Sequence, residues 1–286
     1  MSRIQDILAK AERDGTARTT QTTTVAPPPT IVTRIPIPLT DSVLDTTPST
    51  GSSIGPSVAD LRGAPISDVA PAIRTATATL HPALVSAIAP HSNAAERYRS
   101  LRARIAQREE LSPLRVMAIT SPGRAEGKSV TAANLALTMA QERHRNILLI
   151  DADLRTPVVH SLFAIDDRPG LSDVLSGAAT LDDALLFLPE LRLTVLPAGA
   201  IPEYPAELLG SSAMLRLLDT VRTRFDRIVL DLPAVMPLAD VGTVAPMVDG
   251  ALVVVRVGVT QRPALDQTLA SFDDQKVLGV VLNETH

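Results

Sequence analysis

The chain has 286 residues, a net charge of −4, 45% hydrophobic residues and 2% aromatic ones, so its core must be large and aliphatic. The absence of cysteine excludes disulfides, thiol catalysis and cysteine metal sites. The negative balance gives no general pull toward nucleic acid, so no nucleic-acid partner is expected.

Residues 2–14 place Ile4, Ile7, Leu8 and Ala11 at helical spacing, which predicts a short amphipathic helix over residues 1–14, suited to tether the chain to a partner. There is no continuous apolar run of a secretory signal here, nor a bilayer-length one further on, so a cytoplasmic protein is expected, peripheral to the inner membrane only through a partner. Over residues 15–90 the composition shifts to Thr, Ser, Pro and Ala, with Pro27-Pro28-Pro29 inside it. That reads as a disordered linker. A helix from Ser92 to Glu110 would align Ala95, Tyr98, Leu101 and Ile105. Beyond it, strand-length aliphatic runs at 116–120, 146–150, 193–196, 227–231, 251–257 and 277–282 alternate with helical patterns, notably 129–143, 211–225 and 262–272. Nearly all-apolar strands between helices predict a doubly wound, mostly parallel α/β sheet over residues 91–286, with ligands bound outside the C-terminal ends of its strands.

The first of these runs leads into Ser121-Pro122-Gly123-Arg124-Ala125-Glu126-Gly127-Lys128-Ser129 and then directly into a helix. Strand, glycine-containing loop, Gly-Lys-Ser and helix are the context of a phosphate-binding P-loop. Backbone amides from Gly123 to Val130 would cradle ATP phosphates, Lys128 would neutralise them, and the Ser129 hydroxyl would take one Mg²⁺ position. The run Ile147–Ile150 ends in Asp151-Ala152-Asp153-Leu154-Arg155, and Ile228-Val229-Leu230 ends in Asp231. Charges at buried strand ends are costly unless a cation or hydrogen bonds compensate them. Three carboxylates on the P-loop edge therefore point to Mg²⁺ coordination and a general base. Arg155 would pair with the nearby acids or reach phosphate. Asn283, ending the last strand, would bond the adenine edge or serve a turn.

In order along the chain stand Glu96-x-x-Arg99-x-x-Arg102, the P-loop with Thr131-Ala132-Ala133-Asn134-Leu135-Ala136, Leu149-Ile150-Asp151-Ala152-Asp153-Leu154-Arg155, Gly170-Leu171-Ser172-Asp173-Val174-Leu175, Leu196-Pro197-Ala198-Gly199, Glu207-Leu208-Leu209-Gly210-Ser211, Asp231-Leu232-Pro233 and Leu278-Gly279-Val280-Val281-Leu282-Asn283. On these segments, residues 94–283 resemble the catalytic domain of bacterial tyrosine kinases of capsule and exopolysaccharide synthesis, most of all the cytoplasmic, separately encoded members. The resemblance implies a P-loop NTPase domain of the MinD-like branch and transfer of the ATP γ-phosphate to tyrosine. It implies Lys128, Asp151 and Asp153 as catalytic residues, with either aspartate as base, and Ser129, Asp153 and Asp231 as Mg²⁺ holders. It also implies a membrane chain-length determinant (a polysaccharide co-polymerase) as activator, and a homo-oligomer formed through Glu96, Arg99 and Arg102.

The chain departs from the family pattern in places. A terminal tyrosine cluster is absent, leaving Tyr98 on the predicted apolar helix face and Tyr204 in the Pro202–Pro205 loop as the more exposed candidate acceptor. Asp231-Leu232-Pro233-Ala234 replaces the commoner Asp-Thr-Pro-Pro, and Ala125 stands where glycine is usual. A non-phosphorylating, ATP-dependent switch of polysaccharide chain length or export is the competing reading. A partitioning or septum-positioning ATPase is a third, against which stands Gly123 where those proteins carry a second lysine.

Overall fold

The structure, a computed structural model, describes residues 31–36, 73–110, 112–235 and 240–284. Among the described residues nine strands form one sheet: β1 (Ile31–Pro36), β2 (Arg74–Thr75), β3 (Val116–Thr120), β4 (Ile147–Asp151), β5 (Leu186–Leu188), β6 (Leu193–Leu196), β7 (Arg227–Asp231), β8 (Gly250–Arg256) and β9 (Val277–Glu284). The helices between them are α1 (Val85–Ile88), α2 (Asn93–Glu109), α3 (Lys128–Ala140), α4 (Val159–Phe163), α5 (Leu171–Leu175), α6 (Leu181–Ala184), α7 (Pro205–Leu209), α8 (Ser212–Arg224), α9 (Asp240–Val244) and α10 (Arg262–Leu269). The sheet order is β1-β9-β8-β3-β7-β4-β6-β5-β2, and every neighbouring pair is parallel except β5 against β6.

Alternation along each strand divides the core into two layers, because successive side chains point to opposite faces. Met117, Ile119, Ile147, Leu149 and Val229 pack with α2 and α3 on one face. Val116, Ala118, Leu148, Ile150, Ile228 and Leu230 pack with α5 and α8 on the other. Both faces are therefore covered, and β3, β4 and β7 are buried at every position, as the aliphatic runs required. Serine hydroxyls start the two long outer helices: Ser92 accepts from the Ala95 amide at 3.2 Å and Ser211 from the Met214 amide at 3.3 Å.

The main departure from expectation lies in the linker. Residues 31–36 run parallel to β9, Ile31 opposite Gly279 and Pro36 opposite Glu284, and residues 73–90 belong to the globular domain. The reason is α3. Twelve of its thirteen residues are buried, and from Ser129 to Ala140 it carries no charge, so its outer side needs a cover as apolar as the sheet beneath it. Ala83 and Leu84 supply part of that cover alongside Tyr98, Leu101 and Ile105 of α2. Backbone bonds hold the segment in place: Thr79 N–H donates to Phe163 at 3.1 Å and His81 N–H to Leu162 at 2.9 Å. Buried Asn134 adds three more contacts, donating to the Ala83 and Val130 carbonyls at 2.9 and 3.0 Å and accepting from the Ser86 amide at 2.9 Å. The expected helix over residues 1–14 and the rest of the linker lie outside the described residues.

Gly170 and Gly199 explain two of the sequence segments. A Cβ on Gly170 would stand 2.2 Å from the Gly199 amide, so only glycine lets the loop before α5 dock on the strand end of β6. There the Leu171 and Ser172 amides donate to Pro197 and Ala198 at 2.7 and 2.8 Å.

Asn134→Leu keeps the volume but strands the Ser86 amide and the Ala83 carbonyl. We expect it to lower the unfolding free energy by about 2–4 kcal/mol in urea denaturation, with faster proteolysis at residues 73–90. A loss within about 0.5 kcal/mol, the range of ordinary surface substitutions, would show that Asn134 does not anchor the segment.

Candidate active site

The sheet order brings the chemistry together. β7 lies between β3 and β4, with Asp231 opposite Ile119 on one side and Asp151 on the other. Three C-terminal strand ends therefore meet, carrying the P-loop, the paired aspartates and Asp231. Backbone bonds stitch them: Ala152 N–H donates to Asp231 at 2.9 Å, Leu232 N–H to Ile119 at 2.9 Å, and Val235 N–H to Ser121 at 2.9 Å.

The P-loop crosses into left-handed backbone twice, at Ala125 (φ 57°) and Gly127 (φ 91°). Gly127 precedes α3 with no side-chain cap, leaving the helix amides to backbone geometry alone. Such a turn points successive N–H groups at one concavity suited to phosphate. Ala125 holds its conformation without glycine's freedom, at a cost of about 1–2 kcal/mol. Glu126 fixes the loop from behind. Its buried carboxylate accepts from the Gly123 amide at 3.0 Å and from the Thr260 hydroxyl, and its carbonyl accepts from Asn283 Nδ2 at 3.0 Å. The P-loop is thereby tied to the loop after β8 and to the end of β9.

Lys128 is 9% exposed and points back across the strand ends. Its ammonium lies 2.6 Å from Asp153 Oδ2 and 3.5 Å from Asp231 Oδ1, and donates to Ser129 Oγ at 3.0 Å. Burial works against its charge, but Asp231, Asp153 and Asp151 together outweigh it and raise its pKa. Neither oxygen of the fully buried Asp231 receives a hydrogen bond. Burial pushes its pKa up against the pull of Lys128 and Ser129. Asp151 is pushed up to about 8 by burial and by the charge of Asp231, with the Val159 amide and Lys128 opposing. One lysine faces three buried carboxylates, and the cluster is short of positive charge.

The two paired aspartates differ in their surroundings. Asp151 is taken up by backbone: Oδ1 accepts from Asp153 N–H at 3.2 Å, and Oδ2 from Val158 and Val159 N–H at 3.1 and 3.0 Å, fixing the turn into α4. Asp153 holds Lys128 on Oδ2, which also accepts from the Thr156 hydroxyl at 3.1 Å, while Oδ1 accepts from the Thr156 amide at 3.0 Å. Arg155 turns to buried Asp240, bonding it at 2.6 and 3.1 Å. Asp240 was missed by the sequence reading; its only signal was an acid at the start of a short helix. Arg124 and Ala125 are exposed on the loop, and Val130 is half-buried. Glu96, Arg99 and Arg102 find partners within the chain. Arg99 pairs with Glu96 and donates to the Pro90 carbonyl at 2.6 Å, whereas Arg102 turns onto α3 and its flank, bonding the Thr138 carbonyl at 2.6 Å and Glu142 at 3.2 Å.

The chain has counterparts among known proteins. The tyrosine-protein kinase YwqD of Bacillus subtilis is 35% identical over 196 residues, covering 68% of this chain and 82% of YwqD. The chain belongs to the bacterial tyrosine kinase family. No protein-family model matches it. The putative tyrosine-protein kinase CapB of Staphylococcus aureus is 30% identical, with 68% of this chain and 86% of CapB covered. The succinoglycan biosynthesis transport protein ExoP of Rhizobium meliloti is 38% identical over 202 residues, but this chain spans 26% of its length. Among solved structures, the chimerical protein CapA2B2 has a TM-score of 0.67 at 29% identity, covering 74% of this chain and 93% of that one. The kinase domain of the Escherichia coli tyrosine kinase ETK also reaches 0.67, at 26% identity over 71% of this chain and 80% of that one.

The residues of this bacterial tyrosine kinase fit magnesium. Among the described residues no group of three or more His, Asp or Glu side chains converges on one cation position. Magnesium, which keeps several waters and takes phosphate oxygens, needs one or two protein ligands. Asp231, buried and without a hydrogen-bond donor, meets that need beside the Ser129 hydroxyl. Asp231→Asn removes a poorly compensated buried charge, so the ligand-free protein should melt at the same temperature or higher. The further rise in melting temperature on adding Mg²⁺ and ATP should be lost. A destabilised ligand-free variant that keeps that rise would contradict this assignment.

Proposed function

We propose that the chain is a protein-tyrosine kinase of exopolysaccharide or capsule biosynthesis that transfers the γ-phosphate of Mg²⁺-ATP to tyrosine. The observation carrying this reading is the buried Lys128 held between Asp153 and Asp231 at the start of the P-loop helix. When bound, the cation supplies charge neutralisation at the β- and γ-phosphates. Ser129 and Asp231 are the residues we assign to hold it. The amides of Gly123 through Val130 receive the phosphates, and Asn283 presents a buried, unpartnered Oδ1 that suits an amino donor such as that of adenine.

The pairing pattern separates the roles of the two aspartates. Lys128 has a stronger partner in a triphosphate than in one carboxylate, and on moving to it would release Asp153 Oδ2 from its 2.6 Å contact. Asp153, still bonded to the amide and hydroxyl of Thr156, then stands without its cation at the reacting edge and takes the phenol proton. Asp151, held by three backbone amides, keeps the loop in shape and is assigned as a positioning residue.

No described helix is long and apolar enough to cross a membrane, and we assign membrane attachment to a partner. A chain-length determinant suits that role, in keeping with the name of ExoP as a succinoglycan biosynthesis transport protein. The homo-oligomer assigned to α2 would rest chiefly on Glu96, whose side chain is 63% exposed, because Arg102 is turned onto α3.

Incubation with γ-labelled ATP, Mg²⁺ and a tyrosine-containing polymer tests the reading. Label on tyrosine is expected from the wild-type chain and none from Lys128→Met. Asp153→Asn should slow transfer by roughly 10²–10⁴-fold with ATP still bound, and Asp151→Asn should instead lower stability. Nucleotide binding with no transfer to any acceptor would replace the kinase with the nucleotide switch.

A further inference from the structure

At one edge of the sheet β9 would be the outermost strand but for β1. Left open, the run Val277-Leu278-Gly279-Val280-Val281-Leu282 would present an apolar strand edge ready to pair with another chain. Residues 31–36 close that edge in parallel register and also lie against α2. Residues 37–72 join β1 to the rest of the domain, where β2 stands at the opposite edge, eight strand spacings or roughly 38 Å away. A connection of that many residues can extend to roughly 120 Å, so chain length does not force β1 onto β9. Its own pairing keeps it there.

The far end of this pairing falls at the P-loop. Ile35 stands opposite Asn283, and Pro36 opposite Glu284. On its other side β9 is held by β8 only as far as Arg256 opposite Asn283, so β1 is the one strand neighbour of Glu284 among the described residues. Asn283 is buried, and its Nδ2 donates to the Glu126 carbonyl at 3.0 Å, while its Oδ1 receives no hydrogen bond. Glu126 in turn accepts from the Gly123 amide at 3.0 Å. Strand β1, the end of β9 and the phosphate-binding loop therefore form one connected series.

Building on the nucleotide site assigned above, we propose that residues 31–36 are a positioning strand for it: docked on β9, they hold Asn283 against the P-loop. An undocked β1 leaves the last turn of the ladder at β9 held from one side, and the side chain that braces Glu126 loses its fixed support. Because the coupling is reciprocal, bound nucleotide must hold β1 more firmly in place.

Alternate residues of a parallel strand turn their amides toward a given neighbour, so replacing Val32 and Thr33 together by proline removes a ladder bond whichever of the two makes it. The test compares the full chain with this Val32→Pro/Thr33→Pro variant, by hydrogen exchange over residues 277–284 and by titration with a fluorescent ATP analogue and Mg²⁺. The variant should exchange those amides faster and bind the nucleotide about 3–10-fold more weakly, the worth of one hydrogen bond. A synthetic peptide of residues 29–38 should restore both. In the wild-type chain, nucleotide should slow the same exchange. In an Asn283→Ala background, where the bond to Glu126 is already gone, the prolines should leave the affinity unchanged. Faster exchange with unaltered affinity overturns the coupling, and unaltered exchange overturns the docking itself. An equal loss of affinity with and without Asn283 overturns the route through that residue. A wild-type chain that binds no nucleotide overturns the P-loop reading and this inference with it.

Discussion

Three buried carboxylates and a single buried lysine share the C-terminal ends of β3, β4 and β7, and much else in the molecule serves to keep them there. Such a cluster is unfavourable by itself: burial raises the pKa of Asp151 and Asp231, and Asp231 has no hydrogen-bond donor. It persists because parallel strands fix its members through backbone register, Asp151 opposite Asp231, and α3 delivers Lys128 from the adjoining loop. The deficit of positive charge suits the edge to the divalent cation proposed above. Lys128 bridging Asp153 and Asp231 is then a contact to be exchanged as well as one that holds the edge together.

Much of this was readable from local pattern. Aliphatic runs bounded by helical periods located β3, β4, β6, β7, β8 and β9 to within a residue or two, because strands buried on both faces cannot conceal their composition. The P-loop and the acids at strand ends were legible for the same reason. A charge that interrupts a buried run marks the point where a strand reaches its functional edge.

What escaped the sequence involves pairs far apart in it. Residues 73–90 read as linker because alanine, proline and threonine carry no periodic signal, yet they complete the cover of α3 that α2 begins, and Asn134 reaches back 51 residues to Ala83. Arg155 had two candidate partners; its bond to Asp240, 85 residues away, depends on how α9 packs. The inequivalence of Asp151 and Asp153 depends on which backbone amides the following turn directs inward. Glu96, Arg99 and Arg102 showed helical spacing plainly, but spacing does not show that Arg102 folds onto α3.

The central claim is that Lys128 leaves Asp153 for the nucleotide, turning a closed ion pair into a working base. A crystal structure of the full chain with Mg²⁺ and a non-hydrolysable ATP analogue tests it directly. The account predicts Lys128 Nζ on the β- and γ-phosphate oxygens, out of salt-bridge range of Asp153, with Asp151 still bonded to the Val158 and Val159 amides. Nucleotide bound while Lys128 remains on Asp153 would contradict it.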